Sequence, residues 1–219
     1  MLTYEQVRNN KAIKTYITCA DASLATLGYT EHSFAHVGHV AEIAGYILEI
    51  LDFDDRTVEL AKIAGYLHDI GNLVNRKEHS QSAAVMAWSI LNDMGCDPAE
   101  IATIVTAIGN HDEGTGVPVN AVAAALILAD KADVRRSRVR NTDTAAFDIH
   151  DRVNYSVKES ALVISDDKTQ VKLMLSIDTQ YGSVMDYFEI FMERMILCRK
   201  AAEKLGLHFV LIINGQQLV

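Results

Sequence analysis

The chain has 219 residues, 49% of them apolar and 22% charged, with only two prolines and 12 glycines. This is the composition of one sizeable folded domain, with or without a small appendage, and it excludes collagen-like, low-complexity or disordered architectures. A formal charge of -9 sets most of the surface against nucleic acid and anionic membranes.

Residues 1 to about 150 read as helix after helix. Thr3 and Gln6 form a capping box that opens a helix closed by Gly28. Val37, Val40, Ala44, Ile47 and Leu51 mark a second helix over about 32–51, and a third over about 57–70 ends at Gly71-Asn72. A fourth covers about 80–94 and stops at Gly95. Asp97-Pro98-Ala99-Glu100 joins an N-cap, a first-turn proline and a capping-box acid, opening a helix to about Asn110. After a loop marked by Gly114, Gly116 and Pro118, another helix runs from about Ala121 past Asp133. Beyond residue 155 the period changes. Val171, Leu173, Leu175 and Ile177 alternate with polar neighbours as in a half-buried strand, with a hairpin partner over 161–164. An amphipathic helix from Val184 to Leu205 ends at Gly206, and 207–213 reads as a buried strand. The expected fold is therefore mainly α, a helical domain over 1–150 followed by a small α+β unit over 155–219.

The polar start, MLTYEQVRNN, lacks the apolar core of a signal peptide, and no apolar run approaches the roughly 20 residues of a spanning helix. A cytoplasmic protein with no membrane partner is expected. Cys19, Cys96 and Cys198 have no CxxC spacing and read as reduced thiols.

Chemistry concentrates in the helical block. His68-Asp69 ends an otherwise apolar helix, where a buried carboxylate needs a partner. Taken alone, the pair reads as a helix end facing solvent. It is accompanied by His36 one helix earlier, His79 at the start of the next, His111 at the end of the following one, and Asp130 within the apolar run AAALILAD. Four imidazoles and two carboxylates on successive helices make a mixed nitrogen and oxygen donor set suited to iron, manganese, zinc or magnesium.

The order H…HD…H…H…D, together with the strings EHSFAHVGHVAEIAGYI, AGYLHDIGN, HSQSAAVMAWSIL, AIGNHDEG and LILADKADV, resembles the HD phosphohydrolase superfamily over about residues 28–140. The resemblance implies an HD-domain helical bundle with His36, His68, Asp69 and Asp130 as the core ligands. It further implies that His79 and His111 hold a second ion bridged by Asp69, as in the two-metal branches. One or two divalent transition metal ions are expected, iron or manganese ahead of zinc or magnesium. The implied activity is hydrolysis of a small phosphoester or nucleotide by metal-activated water, with Asp69 and His68 as the catalytic pair. Asn72 stands where many relatives carry lysine, and no GYP sequence follows His111; both weaken a cyclic-dinucleotide reading.

His32, one helical turn before His36, is read either as an additional ligand or outer group or as a polar helix-start residue. His39 is expected as ordinary surface or packing, and Trp88 in the core. Lys131, Arg135, Arg136, Arg138 and Arg140 give residues 130–140 a net charge of +3 against -12 elsewhere. This cluster is either a solvated helix end or, as expected for Lys131, Arg135, Arg136 and Arg138, an anion site beside the metal centre. A compact phosphorylated substrate suits it better than a nucleic-acid strand. Two other functions fit the donor set: a diiron oxygenase and a non-catalytic metal-binding signalling module. The C-terminal unit would either pair strands across a homodimer or cover the substrate pocket.

Overall fold

A computed structural model describes residues 1–144 and 147–219. Its described residues form a helical bundle with a small mixed sheet at the C-terminal end. The helices are α1 (Tyr4–Asn9), α2 (Lys11–Thr26), α3 (Phe34–Ile50), α4 (Asp55–Leu67), α5 (His79–Asp93), α6 (Pro98–Gly109), α7 (Ala121–Ala132), α8 (Ile149–Ser156) and α9 (Val184–Lys204). Four strands complete the fold: β1 (Val157–Ile164), β2 (Gln170–Ile177), β3 (His208–Ile213) and β4 (Gln216–Gln217).

Most helix starts carry the side-chain cap that their sequence announces. Thr3 and Gln6 form the reciprocal box, and Asp97 accepts from the amides of Ala99 and Glu100 with Pro98 in the first turn. The first helix, however, is two. Asn10 adopts extended backbone, so it ends α1, while its side chain caps α2 through the amides of Ala12 and Ile13. A cap residue between two stretches of the same apolar period is invisible to periodicity, which explains the single helix expected there.

In the sheet, β1 and β2 form an antiparallel hairpin, β2 and β3 are parallel across the α9 crossover, and β4 returns antiparallel to β3. Helix α9 packs on α7 as well as on β3, and one continuous buried core runs from α1 through α7 into the sheet. Trp88 departs from expectation at 55% exposure. Helix α5 buries His79, Ala83, Ala87 and Leu91, one residue per turn, and Trp88 lies off that stripe with the exposed Val85. Among the described residues, no helix is long and apolar enough to cross a membrane.

Candidate metal centre

Two glycines set the spacing of the centre. A Cβ on Gly65 would lie 2.7 Å from the Cα of Ala41, so α4 crosses α3 at a distance that no other residue allows. That crossing brings the His36 and His68 rings to 5.2 Å between centroids. A Cβ on Gly71 would lie 2.0 Å from the carbonyl oxygen of His79, so the 3-10 turn after Asp69 rests directly on the start of α5. Just before it, Glu78 holds the left-handed conformation with φ of 59°, a strained backbone that delivers His79 to the centre. His111 follows the last turn of α6, and Asp130 lies in the last turn of α7.

Each imidazole is oriented by a hydrogen bond on its far nitrogen. Nδ1 of His68, His79 and His111 contacts the carbonyl oxygens of Gly65 (2.8 Å), Arg76 (3.1 Å) and Ile108 (2.6 Å). A carbonyl only accepts, so each Nδ1 carries the proton and each Nε2 presents a lone pair. His36 donates from Nδ1 to Oδ2 of Asp133 at 2.8 Å, with the same result. All four residues are buried.

The Nε2 atoms converge on two carboxylates. Asp69 Oδ2 lies 3.4 Å from His36 Nε2 and 3.2 Å from His68 Nε2, while its Oδ1 lies 3.4 Å from His79 Nε2. Asp130 Oδ1 lies 3.4 and 3.6 Å from the same atoms of His36 and His68. His79 Nε2 and His111 Nε2 are 3.2 Å apart. Two groups of donor atoms are mutually close enough to share an ion: His36, His68 and Asp130, and His68, Asp69 and His111.

The charge balance also fits a cation. Burial opposes ionisation of Asp69 and Asp130, yet His68 beside the first and Lys131 beside the second hold both carboxyls well below the usual range. Burial likewise opposes a charge on His68, but Asp69 and Asp130 outweigh it and raise its pKa to about 10, placing on Nε2 a proton that a bound cation would displace. Burial lowers His79 to about 4 and keeps His111 neutral. His36 Nε2 and His68 Nε2 are buried without a hydrogen-bond partner. Ligands about 2.1 Å from a shared ion stand roughly 3.0–3.4 Å apart at octahedral to tetrahedral angles, close to the spacings seen here. The residues fit a divalent cation.

The centre forms part of a cavity of about 440 Å³. Of the four expected anion-binding residues, Lys131 and Arg138 line it; Arg135 and Arg136 do not. Arg135 is drawn back to Asp133, with Nε 2.5 Å from Oδ1. Arg136 binds the Tyr155 carbonyl and stacks over the Tyr155 ring at 4.4 Å. Chain proximity to Asp130 misleads here because the helix ends at Ala132 and the next residues turn away from the cavity. Arg138 is tied to backbone carbonyls of Glu31 (2.9 Å) and Asp133 (2.5 Å). Lys131 Nζ lies 2.8 Å from Asp130 Oδ2 and 3.2 Å from Glu113 Oε2. His32 also lines the cavity, with Nδ1 on the Thr30 carbonyl and Nε2 4.0 Å from Asp69 Oδ2.

Sequence reasoning missed the supporting residues. Asn72 donates to Oδ1 and to the carbonyl of Asp69, both at 2.9 Å, and accepts from Arg76 at 3.2 Å. Asp133 orients His36; its place one turn after Asp130, at the end of an apolar helix, was the signal available. Arg194 of α9 reaches the same cavity from 81 positions beyond its partner Glu113, and nothing local announces it.

A model of the HD domain family matches residues 33–152, more than half of the chain and all six of the residues gathered here. The chain belongs to the HD domain family. An uncharacterized protein of Methanocaldococcus jannaschii is 26% identical, the match covering 80% of this chain and 76% of that one. A crystal structure of a predicted HD superfamily hydrolase from an uncultured Thermotogales bacterium is 25% identical over 57% of this chain and 68% of its own, with a TM-score of 0.44. In this HD domain the name-giving pair, His68-Asp69, stands where α3, α4, α5 and the end of α6 meet.

Proposed function

We propose that this HD-domain protein is a metal-dependent hydrolase of small phosphoesters, nucleotides among them, working through two divalent cations. The observation that carries this reading is the convergence of four Nε2 lone pairs on two ionised carboxylates beside a cavity that is also lined by Arg76, Lys131, Arg138 and Arg194. Anionic substrate and cation donors are provided for in one space. Bound there, divalent cations supply Lewis-acid polarisation of the phosphoryl group and a water that is nucleophilic at neutral pH.

The chain's own residues do the rest. His36, His68, Asp69 and Asp130 would hold one ion, and His79 and His111 a second together with Asp69, whose Oδ2 faces His36 and His68 and whose Oδ1 faces His79. Asn72 fixes the Asp69 carboxylate in that attitude. Lys131 occupies the second oxygen of Asp130, leaving only Oδ1 for the centre. The buried carbonyl and carboxylate partners of the rings keep every Nδ1 protonated, so no imidazole has to rotate or exchange tautomer.

A panel of phosphomonoesters, phosphodiesters and nucleotides, assayed for release of phosphate or, from diesters, of the leaving alcohol, with and without added manganese or iron, tests this reading. Phosphate release that disappears in Asp69→Ala supports it. Oxygen consumption without phosphate release would replace it with the oxygenase reading.

A further inference from the structure

Part of the cavity wall lies outside the segment that defines the family. Phe191 and Arg194 belong to α9, well beyond residue 152. Arg194 Nε donates to Glu113 Oε1 at 2.5 Å, Lys131 donates to the other Glu113 oxygen at 3.2 Å, and the same Lys131 nitrogen lies 2.8 Å from Asp130. Alternating charges thus run unbroken from the C-terminal helix to the proposed metal centre. The chain fixes the guanidinium along its Nε edge, and the Phe191 ring supports it with Cζ 4.3 Å from the centroid.

The four cavity cations are not equivalent. Lys131 is occupied by Asp130 and Glu113, and Arg138 has two of its edges on backbone carbonyls. Arg76 is held through Nη1 by Asn72 and lies over Tyr29. Among the described residues nothing accepts from either terminal nitrogen of Arg194, and neither is sealed from solvent. Among the described residues it is the cavity arginine with both terminal nitrogens free of an acceptor.

We propose, on the reading of the site as a phosphoester hydrolase, that Arg194 anchors the substrate's phosphoryl group through its two terminal nitrogens, and that the substrate is a phosphomonoester. A guanidinium fork takes two non-bridging oxygens of a phosphate. A monoester has a third non-bridging oxygen left entirely to the metal centre; a diester has only two, and would have to share them between the fork and the metals. The C-terminal unit therefore contributes a substrate-binding residue to the HD site and sets its preference for terminal phosphate.

The test uses the full-length, metal-loaded protein with inorganic phosphate, methyl phosphate and dimethyl phosphate as probes in titration calorimetry. Arg194→Met should weaken phosphate and methyl phosphate binding at least tenfold with metal content unchanged, and added guanidinium ion should restore part of the affinity. Dimethyl phosphate, which would have to share its two non-bridging oxygens between the fork and the metals, should bind more weakly than methyl phosphate. Arg199→Met, at an exposed position on the same helix, should bind as the parent does. If Arg194→Met loses metal or unfolds, Arg194→Lys, which retains the Glu113 pairing but not the fork, is decisive and should show the same tenfold loss. Parent-like phosphate affinity in a folded, metal-loaded Arg194 variant overturns the anchor alone. Absence of phosphate binding by the metal-loaded parent protein overturns the hydrolase reading with it.

Discussion

The Nε2 atoms of His79 and His111 face each other at 3.2 Å, each on a ring whose Nδ1 proton is committed to a backbone carbonyl. Neither can donate to the other, so the contact is one of two lone pairs in a buried space. Such an arrangement is unfavourable unless a cation lies between or beside them. The Nε2 atoms of His36 and His68 are likewise buried without a hydrogen-bond partner, facing the Asp69 and Asp130 carboxylates.

Asp133 is the lever on His36. Burial works against its ionisation, but the His36 ring and Arg135 keep it a carboxylate. Asp133→Asn removes the charge that fixes the His36 tautomer. Metal affinity should fall about 10- to 100-fold, measured by competition with a chromophoric chelator, with helical content unchanged.

Gly65→Ala tests the helix crossing. Alanine gains up to about 1 kcal/mol of helix propensity, but its methyl would meet the Ala41 backbone, which cannot move aside as a side chain can. A net loss of about 1–3 kcal/mol is expected in urea denaturation. Metal affinity should fall with it, because α3 and α4 carry His36 and His68.

Acid sensitivity has an identifiable contributor away from the centre. Arg56 grips Glu100 with Nε at 2.6 Å and Nη2 at 2.5 Å, and donates to the Leu2 carbonyl, tying the N-terminus, α4 and α6 together. The guanidinium holds the Glu100 carboxyl below its ordinary value. A depressed carboxyl pKa stabilises the fold above the unfolded-state value, and that contribution is lost as pH falls through the folded-state one. Glu100→Gln should therefore cost about 1 kcal/mol at neutral pH. Its denaturation midpoint should merge with that of the parent once both carboxyl states are protonated.

The thiols should separate by burial. Cys198 is buried and its pKa pushed up to about 12 by that burial; Cys96 is buried and also raised, while Cys19 is exposed. A thiolate-selective reagent at mild alkaline pH should label one cysteine in the native protein and all three in denaturant.

These residues also mark where the sequence was legible. Capping at Thr3 and Asp97 and the alternation of 171–177 are local signals, and the corresponding elements start within a few residues of where they are expected, although the first ends early at Asn9. The six histidine and aspartate positions were readable from their order along the chain and the strings around them, and the structure brings them into one buried cluster. Helix α8 was missed because its eight residues hold too little apolar period to declare it. Arg194 and Asp133 act through partners that only the tertiary fold supplies, whereas Asn72 reaches Asp69 within a single turn. Arg135 and Arg136 show the reverse error, since a count of charge near Asp130 carries no information about which way the chain turns after Ala132.

A crystal structure of the manganese- or iron-loaded protein, with anomalous data collected at the metal edge, tests the central claim most directly. Two anomalous peaks are expected, one within coordination distance of His36, His68, Asp69 and Asp130, the other of His79 and His111, with Asp69 shared. A single peak with His79 turned away would contradict the two-ion centre, and no peak among these six residues at saturating metal would contradict the account as a whole.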